Sequence, residues 1–241
     1  MTTTQNDTIT SSWTLNEVIS AKPNLAARME GLGLDYCCHG NDTLEQACAA
    51  AGLDVDQVTA TLNQDATPGE RAPWMTMSLS ELVEHVVTVH HQYLWEELPR
   101  LGALMAKVHM VHGDRHPELG EIRKVFEAIR AELEPHLMKE ERVLFPKIKE
   151  LEAASDAPRF PFGTVDNPIS VMTSEHEAAG ELLDRLRQLT KSYQTPADGC
   201  ASYQALFAGL ERMAMDTHLH IHKENHRLFP AAIERERQLS A

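Results

Sequence analysis

At 241 residues the chain is long enough for one large domain or two smaller ones, and its 42% hydrophobic content can fill a real core. Aromatics make up only 5%, while Ala, Leu, Glu, Met and Gln are common, which favours helices over sheets. With 22 basic against 36 acidic residues and a formal charge of −14, the composition argues against nucleic acid or an anionic membrane surface as partner, since both want a basic face.

Residues 1–7 are polar, with no basic start and no apolar run, so they do not read as a secretion signal. No stretch reaches the uninterrupted apolar length of a membrane span. Four cysteines (37, 38, 48 and 200) without such a signal are expected as reduced thiols in the cytoplasm. Residues 1–12 read as a disordered tail.

Residues 13–66 read as a small helical domain. Leu15, Val18 and Ile19 make one apolar face; Leu25, Ala26 and Met29 make a second, closed by Gly31 and Gly33. The turn at 34–42 carries the adjacent pair Cys37 and Cys38. Asp42 or Thr43 is expected to cap a helix holding Leu44, Ala47 and Cys48, and another short helix follows over 54–62. So short a unit has a thin core and should lean on the rest of the protein. Residues 63–77, with Pro68, Gly69 and Pro73, read as a linker.

Four long helices follow over 78–238, in halves 78–151 and 167–238. Ser78 and Glu81 form a capping box for the first. Leu79, Val83, Val86, His90 and Leu94 step by three or four along it; His90 lies on that stripe, while His85 and His91 do not. The helix continues past Pro99 to about Val111, and His109, His112 and His116 read as solvated residues near a loop. The second helix opens near Pro117 and runs to about Leu151. Ile122, Val125, Phe126, Ile129 and Leu133 lead to His136, Glu140, Leu144 and Ile148, with a bend at Pro135. The third starts at Asn167 and Pro168 and carries Ile169, Met172, His176, Leu183 and Leu186. The fourth, from about Asp198 to Gln238, places Leu206, Leu210 and Met213 ahead of His220 and Glu224. His218, His222 and His226 read as flanking or exposed, and Cys48 and Cys200 as structural.

One stretch occurs twice: His136-x3-Glu140-x3-Leu144-Phe145-Pro146 and His220-x3-Glu224-x3-Leu228-Phe229-Pro230. Residues four apart share a helix face, so each copy aims an imidazole and a carboxylate the same way. His90 lies 46 residues before His136, and His176 lies 44 before His220. Two such hairpins make an all-α four-helix bundle whose pseudosymmetry gathers four His and two Glu in one interior. That donor set suits iron, zinc or manganese, and one Glu per half suits bridging two ions. Burying these groups without a metal costs roughly several kcal/mol each.

No His has Glu three residues before it, which argues against ferritin-like chemistry. The His-x3-Glu arrangement instead resembles the hemerythrin fold. Gly180 stands four residues after His176, where hemerythrins proper usually offer a second imidazole. Six protein ligands then leave an open position, which suits binding nitric oxide or peroxide, or giving up iron, better than carrying oxygen.

Residues 13–235 resemble the iron–sulfur cluster repair di-iron proteins. The matching motifs are Leu34-Asp35-Tyr36-Cys37-Cys38-x-Gly40, His136-x-Met138-Lys139-Glu140-Glu141-x3-Phe145-Pro146, Pro168-Ile169-Ser170-Val171-Met172-x3-His176-Glu177-x-Ala179-Gly180-Glu181-Leu182-Leu183 and His220-x3-Glu224-Asn225-x2-Leu228-Phe229-Pro230. The resemblance implies an oxo- or hydroxo-bridged pair of non-haem irons, with His90, His136, His176 and His220 as terminal ligands and Glu140 and Glu224 as bridges. It also implies a cytoplasmic stress protein that restores clusters in client proteins damaged by nitric oxide or oxidants. Glu132 and Glu175 resemble family acids near the site. Cys37 and Cys38 are too few for a four-Cys cluster; they could hold iron transiently, exchange thiols, bridge a homodimer or be structural. Reduction of nitric oxide or nitrite at the site, or buffering of nitric oxide, is the alternative activity.

Overall fold

The computed structural model describes residues 8–67 and 72–240. The tail expected over residues 1–7, and Pro68 and Gly69 of the expected linker, lie outside them. Among the described residues there is no strand, and no helix is long and apolar enough to cross a membrane.

The N-terminal unit is four short helices joined by their caps. Thr14 caps α1 (Leu15–Ala21) and Thr43 caps α3 (Leu44–Ala51), each in a reciprocal capping box, with Glu17 and Gln46. The two capping residues pair with one another, so the starts of both helices are tied together. Between them α2 (Ala26–Leu32) stops at Gly33, whose φ of 71° is the left-handed value a helix end needs. Asp54 caps α4 (Val55–Asp65).

Residues 8–12 depart from the expected tail. Ile9 is buried, and its backbone N–H and C=O are both taken by the Asn63 amide, at 2.9 and 2.8 Å. One apolar side chain and two backbone hydrogen bonds suffice to dock a short segment. The end of the expected linker is docked too: Ala72 N donates to Ser20 O at 3.1 Å, and Trp74 is buried.

The bundle has four rods. The first joins α5 (Leu79–Val86) to α6 (Gln92–His112); the second joins α7 (Glu118–Lys139) to α8 (Phe145–Ala153). The third is α9 (Asp166–Leu189), and the fourth joins α10 (Ala201–Lys223) to α11 (Phe229–Ser240). In the three composite rods the joint is a single π-helical turn: Val87–His91, Glu140–Leu144 and Glu224–Leu228. Such turns insert one residue into a helix and gather at functional sites.

The apolar interior is split in two. One cluster holds Leu94 to Val108, Leu119 to Leu137, Ala179 to Leu186 and Tyr203 to Ala214. The other holds Leu79 to Val86, Leu144 to Leu151, Ile169, Met172 and Ile221 to Ala232, and it runs on without a break into the core of the N-terminal unit. On every rod the gap between the clusters carries a buried His or Glu. A polar layer therefore crosses the bundle between two greasy ends. The thin N-terminal core is continuous with the nearer one.

Candidate metal centre

His136 and Glu140 stand one turn apart at the end of α7, and His220 and Glu224 at the end of α10, because the four-residue spacing is intact up to the π-turn. Glu140 and Glu224 are fully buried. Around them the donor atoms of His91, Glu140, His220 and Glu224 lie within 4.8 Å of one another, as do those of His136, Glu140, His176 and Glu224. Two groups of four therefore share both carboxylates.

The first rod supplies His91, not His90. Counting in threes and fours from Val83 and Val86 reaches His90, but the π-turn at Val87–His91 adds one residue and brings the next side chain inward. His90 is buried as well, on the side of Asp216 and Lys223. The downstream stripe Leu94, Leu98, Leu101 and Met105 runs back to His91, and that break of register was the signal in the sequence.

Three of the four imidazoles are fixed from behind. His91 Nδ1 donates to Glu141 Oε1 at 3.0 Å, and Trp95 Nε1 donates to the same oxygen at 2.9 Å. His136 Nδ1 donates to Glu175 Oε2 at 2.9 Å, and the other oxygen of Glu175 takes Lys139. His176 Nδ1 donates to Asn225 Oδ1 at 2.9 Å. Glu141 and Asn225 each directly follow a buried glutamate, so they are equivalent by the pseudosymmetry. Glu132, in contrast, lies on the exposed face of α7.

With the Nδ1 protons committed outward, Nε2 turns its lone pair inward. His136 and His176 bring these atoms to 3.1 Å, and His91 and His220 to 3.2 Å. Among the described residues the carboxylate oxygens of Glu140 and Glu224 have no hydrogen-bond partner, although imidazole nitrogens stand 3.0–3.4 Å away. Inward lone pairs and buried carboxylates at these separations repel unless a cation lies among them. The residues present thus fit a pair of metal ions. The same field acts on protons: burial pushes the His136 pKa down, but Glu140, Glu224 and Glu175 hold it at about 9. Burial likewise pushes Glu140 up, and His136 and His91 outweigh it, holding the carboxyl well below its usual range.

The cysteine turn of the N-terminal unit sits directly against this centre. Asn225 Nδ2 and His226 Nε2 both donate to Cys37 O, at 3.2 and 3.0 Å, and His222 Nδ1 donates to Tyr36 O at 3.1 Å. His218 pairs with Glu30 at 2.6 Å. His218, His222 and His226 are thus not merely flanking; with Asn225 they seat the N-terminal unit on α10 and its π-turn. Asp35 Oδ1 accepts from the backbone of Cys37 and Cys38 at 3.0 and 2.9 Å and from the Cys37 thiol at 3.0 Å. The thiols lie 3.6 Å apart, and Cys38 Sγ stands 3.7 Å from the carbonyl oxygen of His176. The hydrogen bond to Cys38 and burial push the Cys37 thiol well above its ordinary pKa.

At the far end of the bundle, His112 is not solvated but buried, 3.2 Å from the sulfur of Cys200, and His116 bridges Glu118 and Asp198. Cys200 is exposed at the start of α10, and Cys48 is buried in the N-terminal core.

Residues 82–232 match the model of the hemerythrin HHE cation binding domain, and residues 12–66 match a domain of unknown function, DUF542. The chain is 36% identical over 219 residues to the iron–sulfur cluster repair protein YtfE of Enterobacter sp. (strain 638), covering 91% of this chain and 96% of that one. Over the same spans it is 35% identical to the protein of that name from Salmonella typhimurium, and 34% identical to that from Salmonella paratyphi B.

Proposed function

Because the chain belongs to the iron–sulfur cluster repair family built on a hemerythrin HHE cation binding domain, we propose that it holds two iron ions between Glu140 and Glu224 and supplies iron to clusters damaged by nitric oxide or oxidants. One position would be held by His91 and His220, the other by His136 and His176, with both glutamates shared. The observation that carries this reading is the pair of fully buried carboxylates, without a hydrogen-bond partner among the described residues, amid four converging Nε2 atoms.

Imidazole and carboxylate donors with no thiolate suit iron, manganese or zinc alike. The repair role in the names of the relatives selects iron. Two imidazoles and two carboxylates per position fall short of an octahedral set. When bound, the metal pair supplies Lewis-acid and redox chemistry and room for a small ligand such as nitric oxide.

The side chains divide the remaining work. Glu141, Glu175 and Asn225 hold the imidazole rings in orientation. The apolar clusters on either side of the polar layer keep bulk water from the donors. Damaged iron–sulfur proteins in the cytoplasm would be the clients.

Metal analysis with Mössbauer spectroscopy tests the centre. The chain should carry about two irons, as the ligand count of a carboxylate-bridged pair requires, and Glu140→Ala and Glu224→Ala should each lose most of that iron. Reconstitution of an apo cluster enzyme tests the role. If the iron-loaded protein restores activity no better than free ferrous iron, supply of iron is excluded.

A further inference from the structure

The two metal positions differ in what stands behind their imidazoles. A ligating imidazole is oriented, and made a stronger donor, by giving its other N–H to a carboxylate or carbonyl. At the position of His136 and His176 both rings do so, to Glu175 and to Asn225. At the other position His91 gives its proton to Glu141, but His220 does not follow. Its Nδ1, on a ring only 1% exposed, has no hydrogen-bond partner among the described residues.

The pseudosymmetry identifies what is missing. It exchanges His136 with His220 and His176 with His91. Glu175, which precedes His176, therefore corresponds to His90, which precedes His91. His90 cannot take the proton. Its ring stacks parallel on that of His220, with centroids 5.4 Å apart and planes 5° apart. Both of its nitrogens are already engaged, Nδ1 with Asp216 at 2.8 Å and Nε2 with Lys223 Nζ at 2.7 Å. Lys223 in turn corresponds to Lys139. On one side the lysine is neutralised by Glu175; on the other a buried ammonium is held by the two imidazoles of His85 and His90.

We propose that the position facing His91 and His220 is the one from which iron is released, while that facing His136 and His176 retains its iron; this rests on the iron-supply reading above. Removing an N–H acceptor from a ligating imidazole weakens metal binding about 10–100-fold, and here one position is built without that acceptor.

The test is removal of ferrous iron from the full chain by ferrozine under anaerobic conditions. Two phases of equal amplitude are expected, with rates separated by about tenfold or more. Glu175→Ala should speed the slow phase and leave the fast one. His90→Glu, which places a carboxylate at the equivalent position, should slow the fast phase. Should His90→Glu not fold, cobalt(II) titration of the wild type and of Glu175→Ala decides the matter: the variant should weaken the first equivalent bound and not the second. A single phase for both irons, or a Glu175→Ala effect confined to the fast phase or to the second cobalt, overturns the proposal. Ferrozine involves no client protein, so the two readings fail separately. Two phases without transfer to an apo cluster enzyme would reject iron supply alone, and transfer with a single phase would reject the inequality alone.

Discussion

Asn225 Oδ1 accepts the Nδ1 proton of His176 at 2.9 Å, although the two residues come from different rods and lie 49 positions apart. The amide of the same side chain donates to the carbonyl of Cys37 at 3.2 Å. One residue thus orients a metal-facing imidazole and holds down the cysteine turn. Asn225→Ala should weaken metal binding about 10–100-fold and also raise the rate at which Cys37 and Cys38 react with a thiol reagent. Competition with a chelator and timed alkylation measure the two effects; a change in only one of them would show that the residue does not couple the sites.

His91 and His90 are adjacent and equally buried, so burial cannot tell them apart. His91→Ala should remove a metal donor and lower iron content sharply, with the larger loss at one of the two positions. His90→Ala should cost folding stability, about 1–3 kcal/mol for the polar partners it strands, while most of the iron stays. Metal analysis and urea unfolding of both variants check this, and iron loss confined to His90→Ala would contradict the assignment.

Gly40 is required by the close passage of the fourth rod. A Cβ there would fall 2.3 Å from His226 Nε2 and 2.6 Å from the carbonyl oxygen of Tyr36. Gly40→Ala should therefore cost about 1–3 kcal/mol as overpacking and loosen the cysteine turn. Faster alkylation of Cys37 with unchanged iron content is the expected result.

Acid should undo the same turn. Burial pushes the Asp35 carboxyl up, but hydrogen bonds from the Cys37 thiol, His39 and the backbone of Cys38 and Cys37 outweigh it and hold its pKa at about 2. The folded value lies below the unfolded one, so the charged form stabilises the turn at higher pH. That contribution is complete above the unfolded value of about 4 and is lost as pH falls through about 2. Amide exchange at Cys37 and Cys38 should rise across that window, and Asp35→Asn should flatten the dependence.

Much of the centre was legible from the chain alone because a four-residue spacing survives on any helix. His136 with Glu140, and His220 with Glu224, lie on uninterrupted turns, and each π-turn begins only at the glutamate. His91 escapes a helical count because in the first rod the extra residue falls ahead of the side chain that faces the two glutamates. A helical count carried from Val86 arrives one position early. Glu141 and Asn225 stand in the matching motifs, but hydrophobic periodicity gives them no role, since a polar residue beside a buried glutamate usually faces water. Their role depends on which ring a neighbouring rod brings alongside. The seating of the N-terminal unit by His218, His222 and His226 was hidden for the same reason: contacts between distant segments have no period.

The three π-turns lie at one level of the bundle, each holding or adjoining a donor. Every such turn differs from ordinary helix by a single residue, and an ordinary helix advances about 100° per residue. A one-codon deletion within Val87–His91 would return that joint to ordinary helix and leave the rod beyond it nearly in place, because the wider turn absorbs its extra residue locally. Which of two neighbouring histidines faces the carboxylates is thus settled within one turn, by an indel too small to alter the rods on either side.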